Sequence, residues 1–255
     1  MSLILGGADK DGWQYAKDFP ASYHPEPSFT DYVRRRRWAR RCCLVTSGPW
    51  SAVGNTKLLD ISLAPFSSES REVEVWGVAT NGEALYRLGV SREQPAGEAW
   101  CHVRSDVLYQ SVSIGCDGSV WLVSSEGHVT WRQGVSRQCP SGQCWVQLAS
   151  PGSVRFRSVE CGRSGLWAVD TDNKLWLRQG VSAQYPEGVS WSAVCDSVRS
   201  VSSGDNGELW GVLDMGGGGV VARRAGVTPS QPGGSDWEIG VGAGWKHVTT
   251  RAWVK

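Results

Sequence analysis

A run of arginines is the strongest local chemical signal in this sequence. Six Arg and one Asp fall between positions 31 and 41, which gives this segment a charge of +5 in a chain whose net charge is +1. Such a segment has three readings: a nucleic-acid or nuclear-localisation patch, a strand that meets anionic lipid headgroups, or an arginine–aromatic ladder within a sheet. Read as one strand, it places Arg34, Arg36, Trp38 and Arg40 on the same face.

An aromatic segment upstream can pair with this basic strand. Trp13 and Tyr15 alternate in the same way, and a guanidinium group stacked on an aromatic ring contributes about 0.5–2 kcal/mol. The aromatic residues favour the ladder, and lipid contact by the opposite face is compatible with it. The candidate membrane or ladder residues are therefore Trp13, Tyr15, Arg34, Arg35, Arg36, Arg37, Trp38, Arg40 and Arg41.

Other residue types that often carry chemistry are scattered. The four His stand far apart, and the pair Cys139 and Cys144 is not followed by a second pair with metal-ligand spacing. The glycine run at 216–219 lacks a following helix signal and is therefore not expected to bind phosphate. No apolar stretch approaches the ~18 residues of a membrane span. We expect no catalytic residues, no metal and no cofactor, and therefore no enzyme.

Eight cysteines bear on the cellular compartment. An even number allows disulfides in a secreted protein. However, the apolar stretch after Met1 is short and follows no basic residues, so it does not read as a signal peptide. We expect reduced thiols in a cytosolic protein. The cysteines are Cys42, Cys43, Cys101, Cys116, Cys139, Cys144, Cys161 and Cys195.

A unit of 45–46 residues repeats along the chain, and most of the cysteines lie within these units. Three independent markers keep this period, which is strong evidence for structural repetition. The first marker is a glycine, at Gly89, Gly134, Gly180 and Gly226. The other two are tryptophans, at Trp76, Trp121, Trp167 and Trp210, and at Trp100, Trp145, Trp191 and Trp237.

The unit carries strand signals throughout. Turns such as Asn81-Gly82 separate short alternating segments, which is typical of β-hairpins. Four short antiparallel strands in about 45 residues make one blade of a β-propeller. The blades are predicted at about 58–103, 110–148, 156–194 and 198–240. The eight repeated tryptophans are then blade core, because each fills the wedge between neighbouring sheets.

The period continues past both ends of these units. Residues 50–53 match 191–194 and read as a last strand, whereas 245–250 read as a first strand and 252–254 as the start of a second. We therefore expect an all-β propeller of four complete blades and a partial fifth.

The repeat resembles the tectonin repeat. Its pattern is Gly-x-x-Gly-x-Val-Trp-x-Val, then Leu-Trp-x-Arg-x-Gly-Val-Ser, then Trp, and residues 110–194 carry it best. The Trp-Asp dipeptide of WD-repeat propellers does not occur. Upstream, residues 12–19 and 31–41 are similar to the C-terminal half of a DysF domain. The resemblance divides the chain into a DysF-like element at 1–46, a β-strand pair, and a tectonin-repeat propeller at 47–255.

Tectonin repeats directly after a DysF element resemble a family of autophagy proteins. The resemblance implies a non-enzymatic scaffold or tether, cytoplasmic and peripheral on autophagosomal and lysosomal membranes. It would act in autophagosome maturation, in fusion with lysosomes, or in the response to lysosomal membrane damage. The implied partners are the autophagy conjugation complex and phosphoinositide or sphingomyelin membranes, although the family's segments for these partners are not matched here. No nucleic acid is expected.

Two alternatives remain open at this point. Secreted tectonin-type propellers are lectins that bind carbohydrate or lipopolysaccharide, and a lectin here would require disulfides among the eight cysteines. A peroxisomal membrane factor of DysF type is disfavoured because no membrane span is predicted.

Overall fold

The computed structural model describes residues 2–3, 8–19, 21–36, 38–39, 51–64, 72–204, 206–216 and 218–250 of the 255-residue chain. The chain divides into two compact units, Met1–Ala52 and Val53–Lys255; the resemblance places the corresponding boundary at residue 46. Within the described ranges, every regular element of secondary structure is a β-strand.

The N-terminal unit contains two small antiparallel sheets of two strands each. Its strands are β1 (Ser2–Leu3), β2 (Trp13–Ala16), β3 (Val33–Arg36) and β4 (Trp38–Ala39). β2 pairs with β3, and β4 pairs with β1 through Trp38 opposite Leu3. The described parts of the basic run, Val33–Arg36 and Trp38–Ala39, thus pair in two different sheets, and the expected strand through Arg40 extends beyond the described residues. Arg37, Arg40 and Arg41 lie outside the described residues, as does the side chain of Trp38.

The second unit contains four sheets of four antiparallel strands, and consecutive strands are neighbours in each sheet. Blade 1 consists of β5 (Leu58–Leu63), β6 (Val75–Ala79), β7 (Ala84–Arg87) and β8 (Trp100–Val103). Blade 2 consists of β9 (Tyr109–Ile114), β10 (Val120–Ser124), β11 (Val129–Gln133) and β12 (Cys144–Gln147). Blade 3 consists of β13 (Phe156–Gly162), β14 (Gly165–Asp170), β15 (Leu175–Gln179) and β16 (Ser190–Cys195). Blade 4 consists of β17 (Val198–Ser203), β18 (Leu209–Asp214), β19 (Gly219–Arg224) and β20 (Trp237–Trp245). The predicted all-β propeller is confirmed.

The central hairpin turns of blades 1, 2 and 3 also link each of these blades to the next. In blades 1 and 2 the turn contains Gly82 and Gly127, whose φ angles of 85° and 84° are strained for other residues. The carbonyl of Gly127 accepts the N–H of Phe156, the first residue of β13, at 2.9 Å. Blade 3 uses Asn173 with φ 64°, and Asn tolerates this region better than most residues. Its carbonyl accepts the N–H of Val198 at 2.7 Å.

Each interface between consecutive blades buries the tryptophan of a second strand. Trp76, Trp121 and Trp167 are at most 1% exposed, and each belongs to a buried cluster that spans two blades. Trp210, at the same position in blade 4, stays partly exposed because no complete blade follows it in the described chain. Burial of these side chains thus comes from the stacking of blades, as predicted for three of the four.

Residues 247–250 continue the propeller past blade 4. The N–H of Thr250 donates to Oγ of Ser202 on β17 at 3.1 Å, in the manner of the first strand of a following blade. The predicted first strand does not begin at Trp245, because that residue ends β20 opposite Gly219. Of the other expected parts of the fifth blade, residues 51–53 form no strand, which contradicts the predicted last strand at 50–53, whereas Trp50 and residues 252–254 lie outside the described residues.

Candidate functional site

The basic strand of the N-terminal unit stacks on aromatic rings from two sides. The guanidinium carbons of Arg34 and Arg36 lie 4.3 and 5.4 Å from the ring centre of Trp13 on the paired strand. Arg35 points to the other face and lies 3.6 Å from the ring centre of Tyr23, a residue that the strand pattern did not indicate. Each stack contributes about 0.5–2 kcal/mol. Both faces of β3 therefore use arginine–aromatic contacts.

Tyr15 has a different role from the stacking expected of it. Its hydroxyl donates to Oδ2 of Asp9 at 2.8 Å, and the N–H of Trp13 donates to Oδ1 of the same carboxylate at 2.8 Å. The hydrogen bond from the Trp13 N–H lowers the pKa of Asp9, and the hydrogen bond from Tyr15 lowers it further by a smaller amount. Asp9 therefore holds the start of β2 in place. Arg34 and Arg35 keep exposed surface beside this aromatic framework.

An arginine–tryptophan pair recurs in every blade. Arg132 on β11 stands opposite Trp145 on β12, and its guanidinium carbon lies 4.4 Å from the ring centre. Its Nε donates to the carbonyl of Ser141 at 2.7 Å, which fixes the loop between the two strands. The other pairs are Arg87 with Trp100, Arg178 with Trp191, and Arg224 with Trp237. We call this unit the Arg–Trp clamp.

A channel of about 640 Å³ runs along the first strands of the four blades and residues 247–250. A ladder of hydrogen bonds joins these strands from blade to blade. Ser62 accepts the N–H of Ile114 (3.0 Å), Ser113 that of Cys161 (2.9 Å), Glu160 that of Ser203 (2.8 Å) and Ser202 that of Thr250 (3.1 Å). The accepting residue is a serine in blades 1, 2 and 4, whereas in blade 3 it is Glu160.

A second set of contacts follows the bulge near the start of each first strand. The bulged residues Gln110 and Arg157 donate to the backbone of the next blade, Gln110 to Phe156 at 3.2 Å and Arg157 to Val198 at 3.2 Å. Bulges commonly redirect a side chain in this way. Arg199, in the same place in blade 4, instead pairs with Asp214 of its own blade at 2.9 Å. The channel wall is therefore held by polar contacts between blades.

Glu160 is an acidic channel residue whose pKa is strongly raised. Although part of the residue faces the channel, protein atoms enclose its carboxylate, and this burial raises its pKa to about 7. The Ser203 N–H and the hydroxyls of Ser202 and Ser113 oppose the shift by donating to the carboxylate. Asp60 across the channel adds to the increase by charge repulsion. Glu160 therefore changes its protonation near neutral pH.

We expect Glu160→Gln to flatten the pH dependence of stability. Because the folded-state pKa is raised above the ordinary 4.5, the native protein binds more protons than the unfolded chain, and stability is lost as pH rises from about 4.5 through 7. The variant should match the wild type near pH 5 and exceed it near pH 8 by about 1–3 kcal/mol. Urea unfolding followed by circular dichroism across this range measures the difference. Parallel curves for the two proteins would contradict the prediction.

Neither a cluster of metal-ligating side chains nor a membrane-spanning helix occurs in the part of the chain that the structure describes. No group of three His, Cys, Asp or Glu residues there can hold a metal ion, and no helix there is long and apolar enough to cross a membrane. The six cysteines within these ranges are free thiols, and burial raises the pKa of Cys161 to about 12.

Four stacked sheets, each with an Arg–Trp clamp and joined by a channel ladder, define a Trp-rich β-propeller. The model of the Tectonin domain matches residues 32–160 and 153–254, and the chain belongs to the family of tectonin β-propeller repeat proteins. The first match begins within the segment that resembles a DysF element.

Full-length relatives share this repeat over nearly the whole chain. The chain is 52% identical over 254 residues to tectonin beta-propeller repeat-containing protein 1 of Gallus gallus, covering 96% of this chain and 22% of that protein. The Homo sapiens protein of the same name is 52% identical over 259 residues, covering 98% and 22%. The Drosophila melanogaster tectonin beta-propeller repeat-containing protein is 39% identical over 272 residues, covering 98% and 20%. The chain thus spans about a fifth of the length of these relatives.

Solved structures resemble the chain only distantly. YCF48 from Cyanidioschyzon merolae has a TM-score of 0.44 at 16% identity, covering 74% of this chain and 57% of that chain. Prp20p from Saccharomyces cerevisiae has a TM-score of 0.40 at 14% identity, covering 65% and 45%.

The repeat period predicted the tryptophans of the site, but the residues that distinguish one blade from another were not predicted from the sequence. The clamp arginines were visible as a fourth marker with the 45–46-residue period. Glu160 could have been found by aligning the first strands, where it replaces serine. Tyr23 carries no sequence signal, because it lies in a loop and meets Arg35 only in the folded unit.

Proposed function

We propose that the chain is a non-enzymatic interaction platform of an autophagy tether, cytoplasmic and peripheral on autophagosomal and lysosomal membranes. It would act in autophagosome maturation, autophagosome–lysosome fusion or the response to lysosomal membrane damage. The observation that carries the proposal is membership of the tectonin β-propeller repeat family, a scaffold family and not a known class of enzymes. Binding to the autophagy conjugation complex is part of the proposal for the full-length protein.

The arginine–aromatic framework supports membrane contact by the N-terminal unit, which we propose to be a DysF-like element. Trp13 and Tyr23 stack against the guanidinium groups of Arg34 and Arg35 and orient them, while both arginines keep exposed surface. Near an anionic membrane each basic side chain contributes about 1 kcal/mol. Phosphoinositide membranes are therefore the favoured lipid surface, and sphingomyelin membranes are the other lipid that the family suggests.

We expect the double variant Arg34→Ala/Arg35→Ala to bind phosphoinositide vesicles roughly tenfold or more weakly than the wild type, because two interfacial charges are lost. Co-sedimentation with phosphatidylcholine vesicles that contain a phosphoinositide measures this. Vesicles of phosphatidylcholine with sphingomyelin, and of phosphatidylcholine alone, separate charge-driven from headgroup-specific binding. Arg155→Ala/Arg163→Ala, two exposed arginines of the propeller, is the charge-matched control and should bind as the wild type.

The cellular part of the proposal needs a separate experiment. A fluorescent fusion of the chain should gather on lysosomes after membrane damage, and the Arg34/Arg35 variant should gather less. A fusion that stays diffuse under damage and leaves autophagosome–lysosome fusion unchanged would refute the tethering role of this chain. Thiol titration of the denatured, unreduced protein distinguishes the lectin alternative: eight free thiols are expected, and two or more disulfides would favour a secreted protein.

A further inference from the structure

Two glutamates occupy the same place in blades 1 and 4 but have different surroundings. Glu74 immediately precedes β6 and Glu208 immediately precedes β18, each two residues before the repeated tryptophan. The corresponding residues of blades 2 and 3 are Ser119 and Gly165, so only these two blades have a carboxylate here. The repeat therefore offers an internal comparison of one acidic position in two settings.

In blade 4 the carboxylate is neutralised within the blade. Arg223 stands opposite Trp210 on the next strand, and its Nη1 donates to Oε1 of Glu208 at 3.2 Å. The indole N–H of Trp210 donates to Oε2 of the same carboxylate at 3.4 Å. The Trp210 indole, with Arg223 contributing, lowers the pKa of Glu208. In blade 4 a guanidinium group therefore pairs with this carboxylate.

In blade 1 the same carboxylate lacks that cation. Tyr86 stands opposite Trp76, where blade 4 has Arg223. Oε2 of Glu74 is buried without a hydrogen-bond partner among the described residues. Burial raises the pKa of Glu74, and the positive charge of Arg137 offsets this only in part. A buried carboxylate oxygen without a partner is costly, and a bound cation would relieve that cost.

A small cleft lies beside this carboxylate. It has a volume of about 80 Å³, and its walls include Glu74, Trp76, Tyr86, Val90 and Arg137. The rings of Trp76 and Tyr86 are 6.1 Å apart and form its aromatic side. The volume is roughly that of two to three water molecules, which suits the end group of one side chain.

We propose that this cleft binds the guanidinium group of an arginine side chain presented by a partner protein. The planar fork of a guanidinium matches a carboxylate and stacks on an aromatic ring, which an ammonium group does less well. The arrangement reproduces, between two molecules, the pair that blade 4 makes within itself. The site is independent of the membrane-facing arginines and does not rest on the tethering role.

Arg137 is the built-in competitor of the bound arginine. It is exposed on the loop between β11 and β12 of blade 2, and within the described structure it donates no hydrogen bond to Oε2 of Glu74. Its charge still attracts the carboxylate across the cleft. We therefore expect Arg137→Ala to tighten arginine binding several-fold.

Titration calorimetry of the purified chain with acetyl-Gly-Arg-Gly-amide tests the site. We expect the citrulline peptide, a neutral isostere, to bind at least tenfold more weakly and the lysine peptide several-fold more weakly. Glu74→Gln should weaken binding of the arginine peptide at least tenfold. Tyr86→Arg should abolish binding, because it supplies the guanidinium from within, as Arg223 does in blade 4. Glu208→Gln, the matched control, should bind the peptide as the wild type.

Three results would each overturn the proposal: no binding of the arginine peptide by the wild-type chain, equal binding of the arginine and citrulline peptides, or unchanged binding by Glu74→Gln. Circular dichroism establishes whether each variant is folded. If Tyr86→Arg does not fold, the isosteric Glu74→Gln variant and the citrulline peptide still decide the question, because neither changes the packing of the cleft.

Discussion

Replacing Trp167 with alanine lowers the free energy of unfolding by about 3–5 kcal/mol, the range for truncation of a large buried aromatic side chain. Trp167 is 0% exposed and belongs to a cluster with Val198, Val201 and Leu209 of the following blade. Its indole N–H donates to Oγ of Ser164 at 3.2 Å, so the substitution also removes a hydrogen bond. The remaining cavity lies between two blades and cannot close without moving one of them.

Trp210→Ala is the matched control for this result. Trp210 occupies the same position in blade 4 but stays partly exposed. Less contact is lost on truncation, and we expect a cost of about 1–2 kcal/mol. Urea unfolding followed by far-ultraviolet circular dichroism avoids the change in fluorescence that removing a tryptophan causes. If the two variants lose the same free energy of unfolding, the contribution of this tryptophan to stability does not depend on burial between blades.

Arg132→Ala is expected to cost about 2–4 kcal/mol, because it removes a cation–π contact and two hydrogen bonds from the guanidinium group to carbonyl groups of the loop. Arg132 is 7% exposed, and its Nε and Nη2 donate to the carbonyls of Ser141 and Gly142 at 2.7 and 3.2 Å. Its guanidinium carbon lies 4.4 Å from the ring centre of Trp145. The same side chain therefore joins two strands and the loop between them.

Two variants separate charge from shape in this clamp. Arg132→Lys keeps the charge but loses the planar fork, and we expect it to recover less than half of the loss. Arg87→Ala removes the corresponding arginine of blade 1, which is less buried and lies 5.4 Å from the ring centre of Trp100, and should cost less. Urea unfolding gives the free energies, and limited proteolysis reports on residues 134–143. A fully stable Arg132→Lys protein would show that the fork geometry is not needed.

The propeller also has an asymmetry that bears on its function. The clamps repeat in all four blades and the channel ladder joins their first strands, whereas Glu160 replaces serine in blade 3 alone and a carboxylate stands two residues before the repeated tryptophan only in blades 1 and 4. In a repeat protein, the residues required for stacking should recur in every unit, because every unit has the same neighbours. The exceptions are therefore the positions at which to look for binding or pH sensitivity.

The repeat and its strands were predictable from local features. Glycines with left-handed φ angles, such as Gly82 and Gly127, fix hairpin turns by their own backbone preferences. Tryptophans at a constant period then mark the strands between those turns. Both signals act over a few residues, and the predicted strands were confirmed in all four blades.

The burial and electrostatics of individual positions were decided only by the tertiary structure. Trp167 and Trp210 read alike in the sequence, yet the first is fully buried and the second is not, because a complete blade follows only the first in the described chain. Glu74 and Glu208 likewise share a position and differ in whether an arginine faces them. The sequence by itself determined the blade, since hairpin turns and strand alternation arise from neighbours along the chain. Which residues become core, clamp or cleft depends on contacts between blades some 45 residues apart, and only the stacked structure brings those groups together.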